Sequence, residues 1–171
     1  MKKFFLQYLY IQIKNAYLYT IKKSVANKQM KASDSRYGRC IYFASNALAR
    51  KTEKLAAGIW KKAGLSPSHA YLLMIVLDEP GAQPGALSAE LHLTPSTITR
   101  LIEKLEEKKL VIRNTEGKTT SVYPTAKSKE MKTLLQECGE EFQRSCISLL
   151  GKDESARFIS SMNKISDKLP A

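Results

Sequence analysis

The sequence predicts a mainly α-helical fold carrying one small β-hairpin, and three observations support that expectation. Apolar residues recur at helical spacing over several long stretches. Two capping residues followed by proline, Ser66-Pro67 and Thr94-Pro95, mark helix starts. The 8 Gly and 6 Pro among 171 residues leave too little punctuation for many short strands. That length fits one ordinary domain with an extension, and a 43% hydrophobic, 26% charged composition argues against disorder of the whole chain.

Residues 1–30 are set aside from the fold. They hold six Lys and no acid, and the first 23 are dominated by Lys, Phe, Tyr, Ile and Asn. Lys14-Asn15 interrupt the apolar run, and no small-residue cleavage site comes after it, so neither a secretory signal nor a spanning helix is expected. Two readings stay open: an amphipathic surface anchor, or a leader that precedes the working start, since the composition changes at Met30-Lys31-Ala32-Ser33-Asp34.

Ser33-Asp34 offers capping oxygens, and the proline-free stretch Ser35 to Lys62 places Tyr37, Ile41, Ala44, Leu48, Leu55 and Ile59 on an apolar stripe, predicting a long first helix stopped near Gly64. Ser66-Pro67 opens a second helix through the core run Tyr71 to Leu77, which Pro80-Gly81 ends. Pro84-Gly85 precedes a short helix, Ala86 to Leu91. The next helix, Pro95 to Lys108, buries Ile98, Leu101, Ile102 and Leu105; its opposite face is centred on Ser96 and Arg100. Leu110 to Arg113 and Thr119 to Tyr123 are β-prone around the turn Glu116-Gly117-Lys118 and read as a hairpin. A long helix from Ala126 to Leu150 and another from Asp153 to Lys168 complete the chain.

Two helices joined by a tight link, the second polar at its start, with a basic hairpin after them, form the pattern of a winged helix-turn-helix. It suits duplex DNA: one helix fits the major groove, hydroxyls and Arg reach base edges, and Lys holds phosphates. Charge agrees. The chain is +12 at pH 7, residues 94–132 carry nine basic against five acidic side chains, and 133–171 carry five against six. Three cysteines, Cys40, Cys138 and Cys146, with no C-x-x-C, and two histidines outside any metal or triad spacing, point away from a disulfide scaffold, a metal, a cofactor or an enzyme, and towards a reducing cytoplasm.

Over roughly residues 34–168 the sequence resembles the MarR family of bacterial regulators. The resemblance rests on L-S-P-S-H at 65–69, the run from Leu87 to Arg113, the hairpin, and the Pro124-Thr125 that leads into a long helix. It implies a homodimer in which helices from 34–62 and 126–168 interlock, while residues 66–125 of each subunit form the DNA-binding lobe. By position it implies that Ser96, Thr97, Thr99 and Arg100 face DNA, that Lys104 meets a phosphate, and that Arg113 and Lys118 serve the wing. The wing departs from the family pattern by lacking an acidic-x-arginine motif, and Ser128 and Pro124 stand where the family has glycine and leucine.

The resemblance also implies release by a small aromatic ligand or an oxidant. Cys40, between Arg39 and Ile41 with Arg36 and tyrosines nearby, is the candidate redox sensor; packing in an apolar seam is the competing reading. Trp60, His69 and Tyr71 are the candidate ligand pocket. The expected function is a homodimeric, sequence-specific transcriptional regulator. The alternative is a winged-helix interaction module that meets an anionic membrane surface through residues 1–30, without stable insertion. A catalytic domain finds no room beside these helices.

Overall fold

A computed structural model of the protein describes residues 30–170, so the basic leader, apart from Met30, lies outside the described residues. By contacts the chain divides into Met1–Ala49 and Arg50–Ala171.

In the described part of the first unit, a 3-10 turn, Ala32–Asp34, precedes the first helix, α1, which runs Ile41–Trp60 across the division. The helix therefore starts six residues later than the apolar stripe suggested. Gly38 explains the delay. Its position lies against the carbonyl oxygens of Ala32, Ser33 and Ser35, where a Cβ would sit 2.9–3.1 Å away. The Ser35 carbonyl accepts from Gly38 N–H at 2.8 Å and its side chain from Tyr37 N–H at 3.2 Å, which closes a local turn in place of helix.

The second unit holds the rest. α1 ends in a 3-10 turn, Lys61–Ala63, and α2 (Pro67–Asp78), α3 (Pro84–Leu91) and α4 (Pro95–Glu107) come next. The antiparallel hairpin comprises β1 (Val111–Glu116) and β2 (Thr119–Pro124), pairing Val111 with Pro124 and Glu116 with Thr119. A two-residue turn joins them, with Gly117 at φ +61° supplying the left-handed conformation that such turns need. The expected single helix from Ala126 to Leu150 is two: α5 (Ala126–Glu130) and α6 (Lys132–Leu150), broken at Met131. Thr125 caps α5 by accepting from Ser128 N–H at 3.2 Å while its hydroxyl donates to the Lys109 carbonyl at 2.9 Å. α7 (Lys152–Ser166) begins after a turn at Gly151, where φ is +82°.

The core gathers Trp60, Leu72, Leu73, Val76, Leu87 and Leu135 with the buried stripe of α4 and Val111 and Val122 of the hairpin. A further strand-like bridge joins Ala82, in the α2–α3 loop, to Val122. Gly81 N–H donates to the Val122 carbonyl at 2.8 Å, and Val122 N–H donates to the Ala82 carbonyl at 3.0 Å. Gly81 has φ +95°, which favours glycine, and a Cβ there would lie 3.3 Å from the Tyr123 ring, close enough that the ring would have to give way.

Candidate nucleic-acid interface

The exposed face of α4 is built from the cap inwards. Thr94 is extended, with φ −66° and ψ 150°, and its hydroxyl accepts from Thr97 N–H at 3.4 Å. The same oxygen lies 3.1 Å from the Ser96 hydroxyl and 2.9 Å from that of Thr97, so the first turn presents a knot of three hydroxyls. Thr99 donates to the Pro95 carbonyl at 3.0 Å, which engages its proton and leaves its oxygen able to accept. Arg100 is exposed and takes no ion pair among the described residues. Behind this face Ile98, Leu101, Ile102 and Leu105 are buried, as their spacing predicts, and they hold the helix by one side only.

The structure places Ser96, Thr97, Thr99 and Arg100 together on that turn. The remaining cations differ. Lys104 reaches the Glu107 carboxylate at 2.8 Å, and that hydrogen bond pushes its pKa up, keeping it charged. Arg113 is not free at the wing. Its guanidinium meets Glu106 at 2.5 Å, and its backbone N–H donates to the same carboxylate at 3.1 Å, a two-point clamp between the end of α4 and the start of β1. No sequence signal marks Glu106 for this role; only the fold brings positions seven residues apart into contact. Lys118 is exposed on the turn of the hairpin.

His69 stands in the first turn of α2. Ser66 does not cap that helix by its side chain; its hydroxyl lies 2.7 Å from His69 Nδ1, while Nε2 is buried without a hydrogen bond. Burial, and then the Lys108 and Lys104 charges, push the imidazole pKa below its ordinary value. Trp60 is fully buried, its ring 5.7 Å from that of Tyr71 at a steep 64°. Of the three residues expected at a ligand pocket, Tyr71 lines a cleft between α2 and α3, which Trp60 and His69 do not line. Cys40 is exposed just before α1, its backbone bonded to Tyr37 and Ala44. Cys138 is buried against the Ile59 carbonyl, and burial raises its thiol pKa; Cys146 is half-buried.

Among the described residues no group of three His, Cys, Asp or Glu side chains is placed to hold a metal ion. No helix of theirs is long and apolar enough to cross a membrane.

Residues 63–119, which span α2 to the start of β2, match the family model described as MarR family. Solved structures share the fold. A MepR–DNA complex from S. aureus is 15% identical with a TM-score of 0.68, over 75% of this chain and 98% of that one. CouR from Rhodococcus jostii RHA1, bound to p-coumaroyl-CoA, is 15% identical with a TM-score of 0.66, over 84% and 99%. A MarR protein from Peptoclostridium difficile is 22% identical with a TM-score of 0.65, over 82% and 92%. No curated protein matches the sequence.

Proposed function

We propose that this chain is a winged-helix regulator of the MarR family, which its residues 63–119 match, and that it binds double-stranded DNA sequence-specifically as a homodimer and controls transcription in the cytoplasm. The observation that supports the reading best is the α4 surface. Three hydroxyls and an exposed Arg100 project from a helix whose other side is buried, with an exposed Lys118 on the neighbouring hairpin. Such a helix end offers base-reading donors, and the hairpin offers a backbone grip. Lys104 has a second claim on its charge, Glu107, and must exchange that partner for a phosphate. Arg113, clamped by Glu106, serves the wing by fixing its angle to α4 before it can serve as a contact. The MepR structure holds DNA and the CouR structure holds p-coumaroyl-CoA; by analogy this protein is a regulator modulated by a small molecule, or by an oxidant at Cys40, and not an enzyme.

Mobility shift with DNA flanking the protein's own gene, at several salt concentrations, tests the reading. Arg100→Ala is expected to erase the preference for that DNA over random duplex, a loss of about 1–3 kcal/mol in discrimination. Lys118→Ala is expected to weaken both alike and to reduce the salt slope by about 0.9. Equal binding of promoter and random DNA by the unaltered protein at physiological salt overturns the proposal. Release by organic hydroperoxide that persists in Cys40→Ser removes the oxidant arm.

A further inference from the structure

We infer that the cleft between α2 and α3 is a binding site for a small lipophilic organic cation. The inference deepens the proposed regulation by naming the ligand's chemical class, and it rests on that reading only for the consequence at DNA.

The cleft has a volume of about 550 Å³, within the range of roughly 300–1,000 Å³ that holds small molecules. Its floor is apolar: Leu87 is buried, and Met74 and Ile75 are half-buried. Tyr71 forms one wall, 40% exposed, so part of its ring is open to a guest. Three carboxylates, Asp78, Glu79 and Glu90, stand around this floor and are exposed. Asp78 is neutralised by Lys132 at 2.8 Å, whereas Glu79 and Glu90 take no ion pair among the described residues.

The charge pattern of the sequence makes the site unusual. The chain carries 28 Lys and Arg, yet none falls between Ala63 and Thr99, the whole span of α2, α3 and their links. The acids of the cleft therefore have no cation on their own elements, and the one that reaches them comes from α6. A negative cleft with apolar side chains on its floor, in a +12 protein, selects against the anions that the rest of the surface attracts. An aromatic face and a thioether beside carboxylates suit a delocalised cation, which meets the ring by cation–π attraction and leaves little hydration behind. An inorganic cation gains nothing from the apolar floor, and a neutral aromatic gains nothing from the rim.

The full-length protein contains its own reporter, because Trp60 is its single tryptophan and is packed against Tyr71. Titration with tetraphenylphosphonium, monitored by Trp60 fluorescence and by calorimetry, is expected to show saturable binding. Triphenylphosphine oxide, aromatic but uncharged, is expected to bind at least about tenfold more weakly, the loss of one desolvated cation–π and ion-pair contact. Glu79→Gln and Glu90→Gln are each expected to weaken the phosphonium about two- to fivefold, as for a partly exposed charge pair. Lys132→Met, which releases Asp78, is expected to tighten it. Circular dichroism verifies that each variant is folded, and the tightening by Lys132→Met cannot arise from misfolding. Absence of saturable binding, equal affinity for the neutral compound, or folded Gln variants with unchanged affinity overturns the inference. So does a cleft occupied by a segment of a second copy, which would exclude the probe. The fluorescence result stands apart from the mobility shift: a protein that ignores DNA but binds the phosphonium defeats the regulator reading and leaves the cleft.

Discussion

His92 shows what a single residue can cost. It sits at φ +50° after α3, where its N–H donates to the Ala89 carbonyl at 3.3 Å and Leu93 N–H to the Ser88 carbonyl at 3.1 Å. That is a Schellman closure, which favours glycine at the left-handed position. His92→Gly is expected to raise the free energy of unfolding by about 0.5–1 kcal/mol, the strain of a side chain there less the added freedom of the unfolded chain; urea midpoints check it. His69 makes a different prediction. Burial and the Lys108 and Lys104 charges depress its folded pKa, so the unfolded chain takes up a proton first as the pH falls. Stability is full above the unfolded value of about 6.5 and declines below it, levelling off under the folded pKa. Urea midpoints between about pH 7.5 and 5.5 are expected to fall for the unaltered protein and to fall less for His69→Gln.

Helix ends recur as a pattern at the next scale. Gly64-Leu65, His92-Leu93 and Lys109-Leu110 close their helices alike, each pair donating back into the last turn. Only the first announces itself with a glycine; the other two stops are legible only through their neighbours, the Thr94-Pro95 start and the β-prone run beginning at Leu110. The α4 boundaries were legible because Thr94-Pro95 is a strong start and the apolar stripe fades after Leu105. The late start of α1 and the break at Met131 were not, since neither stretch contains a proline; the late start goes with a local turn in which carbonyls crowd Gly38, and nothing in the sequence around Met131 marks the break. The exposed face of α4 could be read from periodicity, but the Glu106 clamp on Arg113 and the cleft could not, because both depend on how elements meet. Thr94→Ala, which removes the oxygen shared by Ser96 and Thr97, is expected to cost about 1 kcal/mol of stability, measured by thermal melting. On the proposed reading it is also expected to loosen DNA binding beyond that loss, because the Ser96 and Thr97 hydroxyls lose their shared partner.

At the scale of the whole molecule, α7 leaves an apolar surface unexplained. Phe158, Ile159, Met162 and Ile165 are exposed at helical spacing, with Leu149 and Leu150 just before the helix. A monomer seldom leaves such a stripe in water, and two copies related by a twofold axis would each cover the other's. For the proposed homodimer, Met162→Glu is therefore expected to shift the protein from dimer to monomer in sedimentation, with weakened binding to a two-half-site operator and less effect on a single half-site. An unchanged sedimentation coefficient would place the partner surface elsewhere.

The two hydrogen bonds between Val122 and the Gly81–Ala82 segment give the hairpin a mooring on the far end of α2. A wing anchored only through its own strands would swing independently of the helices behind it. Moored here, it resembles a rudder: a tilt of α2 is expected to reach the tip at Gly117-Lys118, so on the proposed reading the grip on a duplex and the packing behind it would change together.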